Sequence, residues 1–473
     1  MLMGTINGDR RTFFQLLVST LLVSVTNFTV WFAITFYVYL QTRSVFATGV
    51  ISGIFLALTA STGIWFGSLV DHYRKKTMMQ VSTVASLLLY VAAFAVYQVT
   101  PKDRFTDPAS VPLWTLVLLL MFGVIAGNIR TIALPTLVTA LIEEESRGRA
   151  NGLVGTTSGV TFLVTSVISG VLVAVGDMFW VLVLALVVLT VAIGHLFLVP
   201  VREVLVPVRE VLVPVREPAG PAPSPERSRK VDLRGTVGVV RGVPGLMALI
   251  VFSAFNNLLG GVFMALMDAY GLSLVSVQAW GLLWGVLSTG FIVGGLLVAR
   301  TGVGANPVRL LLAVNLLLWT VTLLFPVRSS IVLLTAGMYL YMLFVPYAEA
   351  AEQTVLQKVV PYQRQGRVFG FAQSVEQAAS PLTAFLISPV AQFVFIPFMT
   401  DGAGARAVGG WFGTGADRGL ALVFMLTGAI GIVATAVALR SRPYRRLSDR
   451  YARAPQDPPD AAPAEPSLSG RRQ

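Results

Sequence analysis

The stretch Gly67-Ser68-Leu69-Val70-Asp71-His72-Tyr73-Arg74-Lys75-Lys76 closes one long apolar run and opens the next. Gly67 has no Cβ, so a second helix can pass close to its backbone. Asp71 follows at the edge of the apolar run, among Arg74, Lys75 and Lys76. A carboxylate there can pair with cations or cap the N-terminus of a neighbouring helix. Such contacts hold one arrangement of a moving bundle and break in another.

Outward from this turn, apolar runs recur along the chain near 13–40, 45–69, 78–99, 112–140, 150–175 and 178–199. A second set lies near 244–270, 278–299, 308–326, 329–357, 368–397 and 419–439. Crossing the hydrocarbon core of a bilayer takes about 20 mostly apolar residues in a helix. Twelve such segments predict an all-α polytopic membrane protein. Residues 1–199 form a first six-helix bundle and 244–440 a second, joined by a polar, proline-rich cytoplasmic linker over 200–243. Residues 441–473 read as a disordered cytoplasmic tail, rich in Pro, Ala and Asp from Ala454 onward. Composition agrees: over 473 residues, 55% are hydrophobic, 12% are charged, and mean hydropathy is +0.75. A soluble domain of that length needs far more charge to cover its surface.

Basic residues set the orientation, because lysine and arginine stay on the cytoplasmic side. With both termini inside, cytoplasmic segments hold 28 of the 35 basic residues. The opposite loops hold six (Arg43, Lys102, Arg104, Arg328, Arg406 and Arg418), and Arg130 lies inside a helix. This asymmetry accounts for the net charge of +12 without a nucleic-acid partner and predicts a multi-pass protein of the cell membrane. Arg10 and Arg11 read as the cytoplasmic anchor of the first helix; the apolar run behind them is too long for a cleaved signal.

The chain has no cysteine, and its two histidines, His72 and His195, are far apart. No metal site, cofactor or catalytic residue is expected, and no Walker motif points to ATP. The linker carries a tandem repeat, Leu-Val-Pro-Val-Arg-Glu-Val, from Leu198 and again from Leu205, with a third copy from Leu212. A proline every seventh residue rules out a continuous helix there, and the repeat reads as a duplication in a tolerant connector.

The Gly67–Lys76 turn resembles the signature between helices two and three of the major facilitator superfamily: glycine, three residues, aspartate, a basic residue, any residue, glycine, two basic residues. Gly67, Asp71, Lys75 and Lys76 match, while His72 and Arg74 depart from it. A second stretch, Glu143-Glu144-Glu145-Ser146-Arg147-Gly148-Arg149-Ala150-Asn151-Gly152, resembles macrolide-efflux and siderophore-efflux exporters of that superfamily. Shifted by 218 residues, Gly148, Arg149 and Gly152 fall on Gly366, Arg367 and Gly370. At a shift of 228 residues Gly67 aligns with Gly295, where Ala299 replaces the aspartate. Two weakly similar halves are the mark of parallel repeats, and the resemblance implies two pseudo-symmetric bundles. It also implies a conformational latch at Gly67, Asp71, Arg74, Lys75, Lys76, Arg147 and Arg149. The glycine-proline signature that drug/proton antiporters carry in the fifth helix is absent from Gly155–Gly170.

Ionisable groups at membrane depth cost roughly 2.5–3.5 kcal/mol on insertion scales and need a reason. Arg130, Glu349, Glu352 and Glu376 are of this kind and are expected around one central cavity. Low dielectric disfavours charge on these carboxyls unless Arg130 pairs with them, so a proton can be exchanged for a salt bridge as the bundles rock. Asn27, Trp31, Asn256, Asn257 and Trp284 are candidates for substrate contact, although buried asparagines also join helices. The expected function is secondary transport: export of a small amphipathic organic compound in exchange for protons, by a monomer whose partners are substrate, protons and the bilayer. Proton-coupled nutrient uptake is the alternative, and a polytopic membrane enzyme a more distant one.

Overall fold

Lipid offers no partner to a peptide N–H or C=O, so a chain this apolar satisfies its backbone within helices. The computed structural model describes residues 7–42, 45–201 and 233–453, almost wholly helical. The first half contains α1 (Arg10–Thr42), α2 (Val45–His72), α3 (Lys75–Val99), α4 (Val111–Gly127), α5 (Ile129–Leu141) and α6 (Glu144–Leu198). A short α7 (Leu233–Gly242) leads into α8 (Leu246–Leu272), α9 (Val277–Thr301), α10 (Pro307–Leu324) and α11 (Ile331–Val359). The chain ends in α12 (Gln365–Val390), α13 (Ile396–Thr400), α14 (Ala403–Phe412), α15 (Ala416–Arg440) and α16 (Arg442–Arg453). Asn306 caps α10 through the Arg309 amide, and Asp9 caps α1 through Thr12.

Among the described residues, eleven helices are long and apolar enough to cross a membrane. The α6 run holds the twelfth. At 55 residues it would extend some 80 Å if straight. Both its ends lie at one face, where the Asn7 amide donates to Ser146 and the Thr12 hydroxyl to the carbonyl of Pro200. The run therefore turns back on itself and crosses twice. Asn7, Val201 and α16 share that face, here the near face: Lys76 reaches the Val199 carbonyl, and Lys358 contacts both Glu144 and the ring of Tyr451.

Packing differs between the two faces. One buried apolar cluster at the near face runs through both halves, joining Phe66, Val70 and Leu134 to Val298, Val355 and Phe369. Toward the far face the core divides. One cluster, from Val23 to Ala192, belongs to the first half, and another, from Val262 to Phe424, to the second. The buried core is thus shared at the near face and divided between the halves beyond it.

Two seams join them, α2 against α12 and α6 against α9. Both depend on missing side chains. A Cβ on Gly67 would strike the carbonyl oxygen of Gly366, and one on Gly370 the carbonyl of Gly63. On the other seam, a Cβ on Gly152 would meet Val298 and the backbone of Ala299, and one on Gly295 the backbone of Thr156.

The structure adds to the sequence reading in three places. Residues 442–453, expected as the start of a disordered tail, form α16, because Tyr444 and Leu447 lie on one face and are buried. The far-face loop after α13 contains the helix α14. The fourth span breaks at Asn128, where the Thr131 amide bonds the Asn128 carbonyl in place of an i−4 partner. Arg43, the linker repeat beyond Val201 and the tail beyond Arg453 lie outside the described residues.

Gly67→Val tests the α2/α12 seam. Forcing side-chain atoms against the Gly366 backbone costs about 1–3 kcal/mol as overpacking. The purified protein should unfold several degrees lower in detergent, whereas Gly285→Ala, which meets open space, should unfold as the wild type does.

Candidate functional site

Asp71 ends α2 at the near face, beside the first turn of α12. The first amides of a helix have no intrahelical acceptor, and the helix dipole makes that end positive. Asp71 supplies the acceptor from the other half of the chain: Oδ1 takes the Gly366 amide at 2.6 Å and Oδ2 the Arg367 amide at 2.9 Å. The Arg367 Nε lies 3.7 Å from Oδ2 and adds an ion pair. His72 completes the contact. Its Nδ1 lies 2.7 Å from the Ser68 carbonyl, which fixes the proton there and leaves Nε2 to accept from Arg367 at 3.1 Å. The position where the sequence departs from a basic residue is thus occupied by an imidazole acceptor.

The other expected latch residues divide by role. Lys75 is buried and sits 4.8 Å over the ring of Tyr362, joining the halves. Lys76 and Arg147 work inside the first half: Lys76 holds the end of α6, and Arg147 donates to the carbonyls of Thr139 and Ile142 at the end of α5. Arg149 lies against the turn at Gly302, and Arg74 is exposed. Sequence reasoning missed much of the polar seam. Glu144 pairs with Lys358, Asn151 donates to Gln357 and Thr354, and Gln357 donates across the halves to the Pro135 carbonyl. Deeper, Gln373 donates to Thr131 at 2.8 Å.

The three intramembrane glutamates come together in the second half. Glu349 is exposed, and Glu352 one turn away accepts from Ser253 at 2.5 Å. Glu376 of α12 lies beside Glu352. The expected pairing with Arg130 is not formed. Arg130 is buried in the first half and donates to the hydroxyls of Ser19 (3.3 Å) and Thr83 (2.6 Å). These hydroxyls engage its two terminal nitrogens without neutralising the charge, and its buried Nε has no hydrogen-bond partner.

The polar and aromatic candidates also divide. Asn27 accepts from Tyr90, and Asn256 from the Trp319 indole at 2.8 Å, so both tie helices together. The backbone carbonyl of Asn257 accepts from Ser380. Trp31 stacks on Phe55 at 3.8 Å. Trp284 lines a cavity of about 220 Å³ in the second half between α8, α9 and α11. Asp268, absent from the sequence reading, lies in the same wall and accepts from Trp280 at 2.9 Å and Trp284 at 3.2 Å.

Twelve crossings in two bundles, joined at one face by glycine seams and a carboxylate-capped helix, define a transporter-type membrane fold. Residues 16–384 match the family model of the Major Facilitator Superfamily, and the chain belongs to that family. Its fold is that of solved members at low sequence identity. One is a bacterial homologue of the iron transporter ferroportin in an outward-facing state: TM-score 0.64, 15% identity, 90% of this chain and 98% of that one. Another is the human organic anion transporter MFSD10: TM-score 0.57, 15% identity, 90% and 100% coverage. The proton:xylose symporter XylE aligns with TM-score 0.60 at 13% identity over 92% and 97% of the two chains. No curated protein matches the sequence.

Asp71→Ala removes the acceptor of two amides. Leaving buried donors unpaired costs about 1–3 kcal/mol, so the near-face contact should open in a larger share of molecules. The cysteine-free chain allows spin labels at Thr77→Cys and Arg364→Cys. Their distance distribution should gain a longer component in Asp71→Ala; an unchanged distribution would show that Asp71 does not hold the seam.

Proposed function

We propose that the chain is a secondary transporter that exports a small amphipathic organic compound in exchange for protons, by alternating access of its two bundles. The observation that carries this reading is the gathering of Glu349, Glu352 and Glu376 at membrane depth, with Glu349 exposed and Glu352 beside Glu376. Carboxyls so placed can take up a proton and pass it on, and ionisable groups inside a membrane mark such relays. The Asp71 latch supports the same reading: its hydrogen bonds form or break as a set, which suits an element that closes one face at a time. Apolar walls suit an amphipathic solute better than a sugar or a phosphate. In this reading the near face is cytoplasmic, following its basic residues, the protein sits in the cell membrane, and a monomer suffices.

Reconstitution in liposomes under an imposed pH gradient, with a panel of dyes and antibiotics, tests the proposal. Efflux from the near-face side should follow the gradient, and Glu349→Gln should reduce proton-driven movement to background while the protein stays folded. Movement that ignores the gradient, or full activity in Glu349→Gln, would sink the antiport mechanism. Solute accumulation at the near-face side would sink export.

A further inference from the structure

The cavity beside Trp284 has a composition that the carboxyl trio does not explain. Its walls include Phe263, Met264, Asp268, Trp284, Tyr341 and Met342, and no lysine, arginine or histidine lines it. Asp268 is accessible and stands in the far half of α8, inside a membrane-spanning segment. Both indole N–H groups converge on its Oδ1. They fix the carboxylate and turn the Trp284 ring edge toward it. Among the described residues, no hydrogen bond or ion pair reaches Oδ2.

The aromatic arrangement is equally particular. Phe263 and Tyr341 lie 5.1 Å apart at 32°, and Trp280 and Trp284 5.9 Å apart at 74°. Trp284 is 6.2 Å from Phe162 of α6, so the cavity lies beside the boundary between the halves. Aromatic faces attract cations through their quadrupole, most strongly away from water. Methionine side chains adapt to ligands of varied outline. A fixed carboxylate with one oxygen unengaged, aromatic faces and flexible thioethers together form the complement of a positively charged, largely apolar molecule.

We propose that this cavity binds a small organic cation, such as a quaternary ammonium carrying one aromatic ring. Its ammonium group faces Asp268 and the ring of Trp284, and its apolar part lies along Phe263, Tyr341 and the methionines. Pockets for drug-sized ligands run to about 300–1,000 Å³, so a cavity of about 220 Å³ takes a smaller molecule. The site's role as a transport site deepens the exporter reading and rests on it; binding itself does not.

Equilibrium dialysis of benzyltrimethylammonium against the full chain in nanodiscs, without any gradient, tests the site. Saturable binding should resist competition by benzenesulfonate and by neutral N,N-dimethylbenzamide. Asp268→Asn and Trp284→Leu should each weaken binding by about tenfold or more. Trp284→Leu carries the test alone if Asp268→Asn fails to fold. Equal competition by the neutral or anionic compound, or undiminished affinity in a folded variant, would overturn the proposal. Since binding needs no proton gradient, failure of antiport leaves a positive result standing. Loss of binding likewise leaves the antiport reading to its own test.

Discussion

A helix that begins against a second bundle brings its first amide hydrogens to a place where water is scarce. Those of α12 find their acceptor in Asp71, a residue almost three hundred positions earlier in the chain. The approach is close because Gly67 and Gly366 carry no side chains, and the small residues and the carboxylate serve a single geometry. Around that point the apolar core is continuous from one half to the other, and away from it the core divides in two. The separate far-face cores belong to a molecule closed at one end around this contact.

The fold was legible because lipid removes alternatives. Long apolar runs can only be helices, and their number and basic flanks gave bundle count and arrangement before any contact was known. A polar contact at Asp71 was legible because its acid and cations sit on one turn. Its partners were harder to read. Asn151 and Gln357 are uncharged and 206 positions apart, so no local pattern connects them. For α16 a signal existed: Tyr444, Leu447 and Tyr451 recur at three- and four-residue spacing through a strongly basic segment, but its charge masked that stripe.

Arg130 shows where internal symmetry misleads. The 218-residue shift sets it beside Glu349, which suggested an ion pair. Equivalent positions in two repeats face one another across the molecule and need not touch. Arg130 instead found hydroxyls within its own bundle, while the glutamates gathered in theirs. Asp268 escaped notice for a different reason. Lying near the end of its span it resembles an interface residue, and only folding brings two indoles from α9 onto it.

The seams at the near face are alike in outline and unlike in chemistry. Where α2 meets α12 there is a carboxylate; at the matching position of α9 stands Ala299, packed against Gly152 of α6. A carboxylate that parts from its amide partners can take water in their place, whereas apolar atoms that separate gain nothing for the dispersion contacts they lose. A rise in local hydration therefore loosens one side of the molecule before the other. The two bundles are thus joined through a carboxylate on one edge and through close backbone packing on the opposite edge, and water can replace the contacts of the first edge alone.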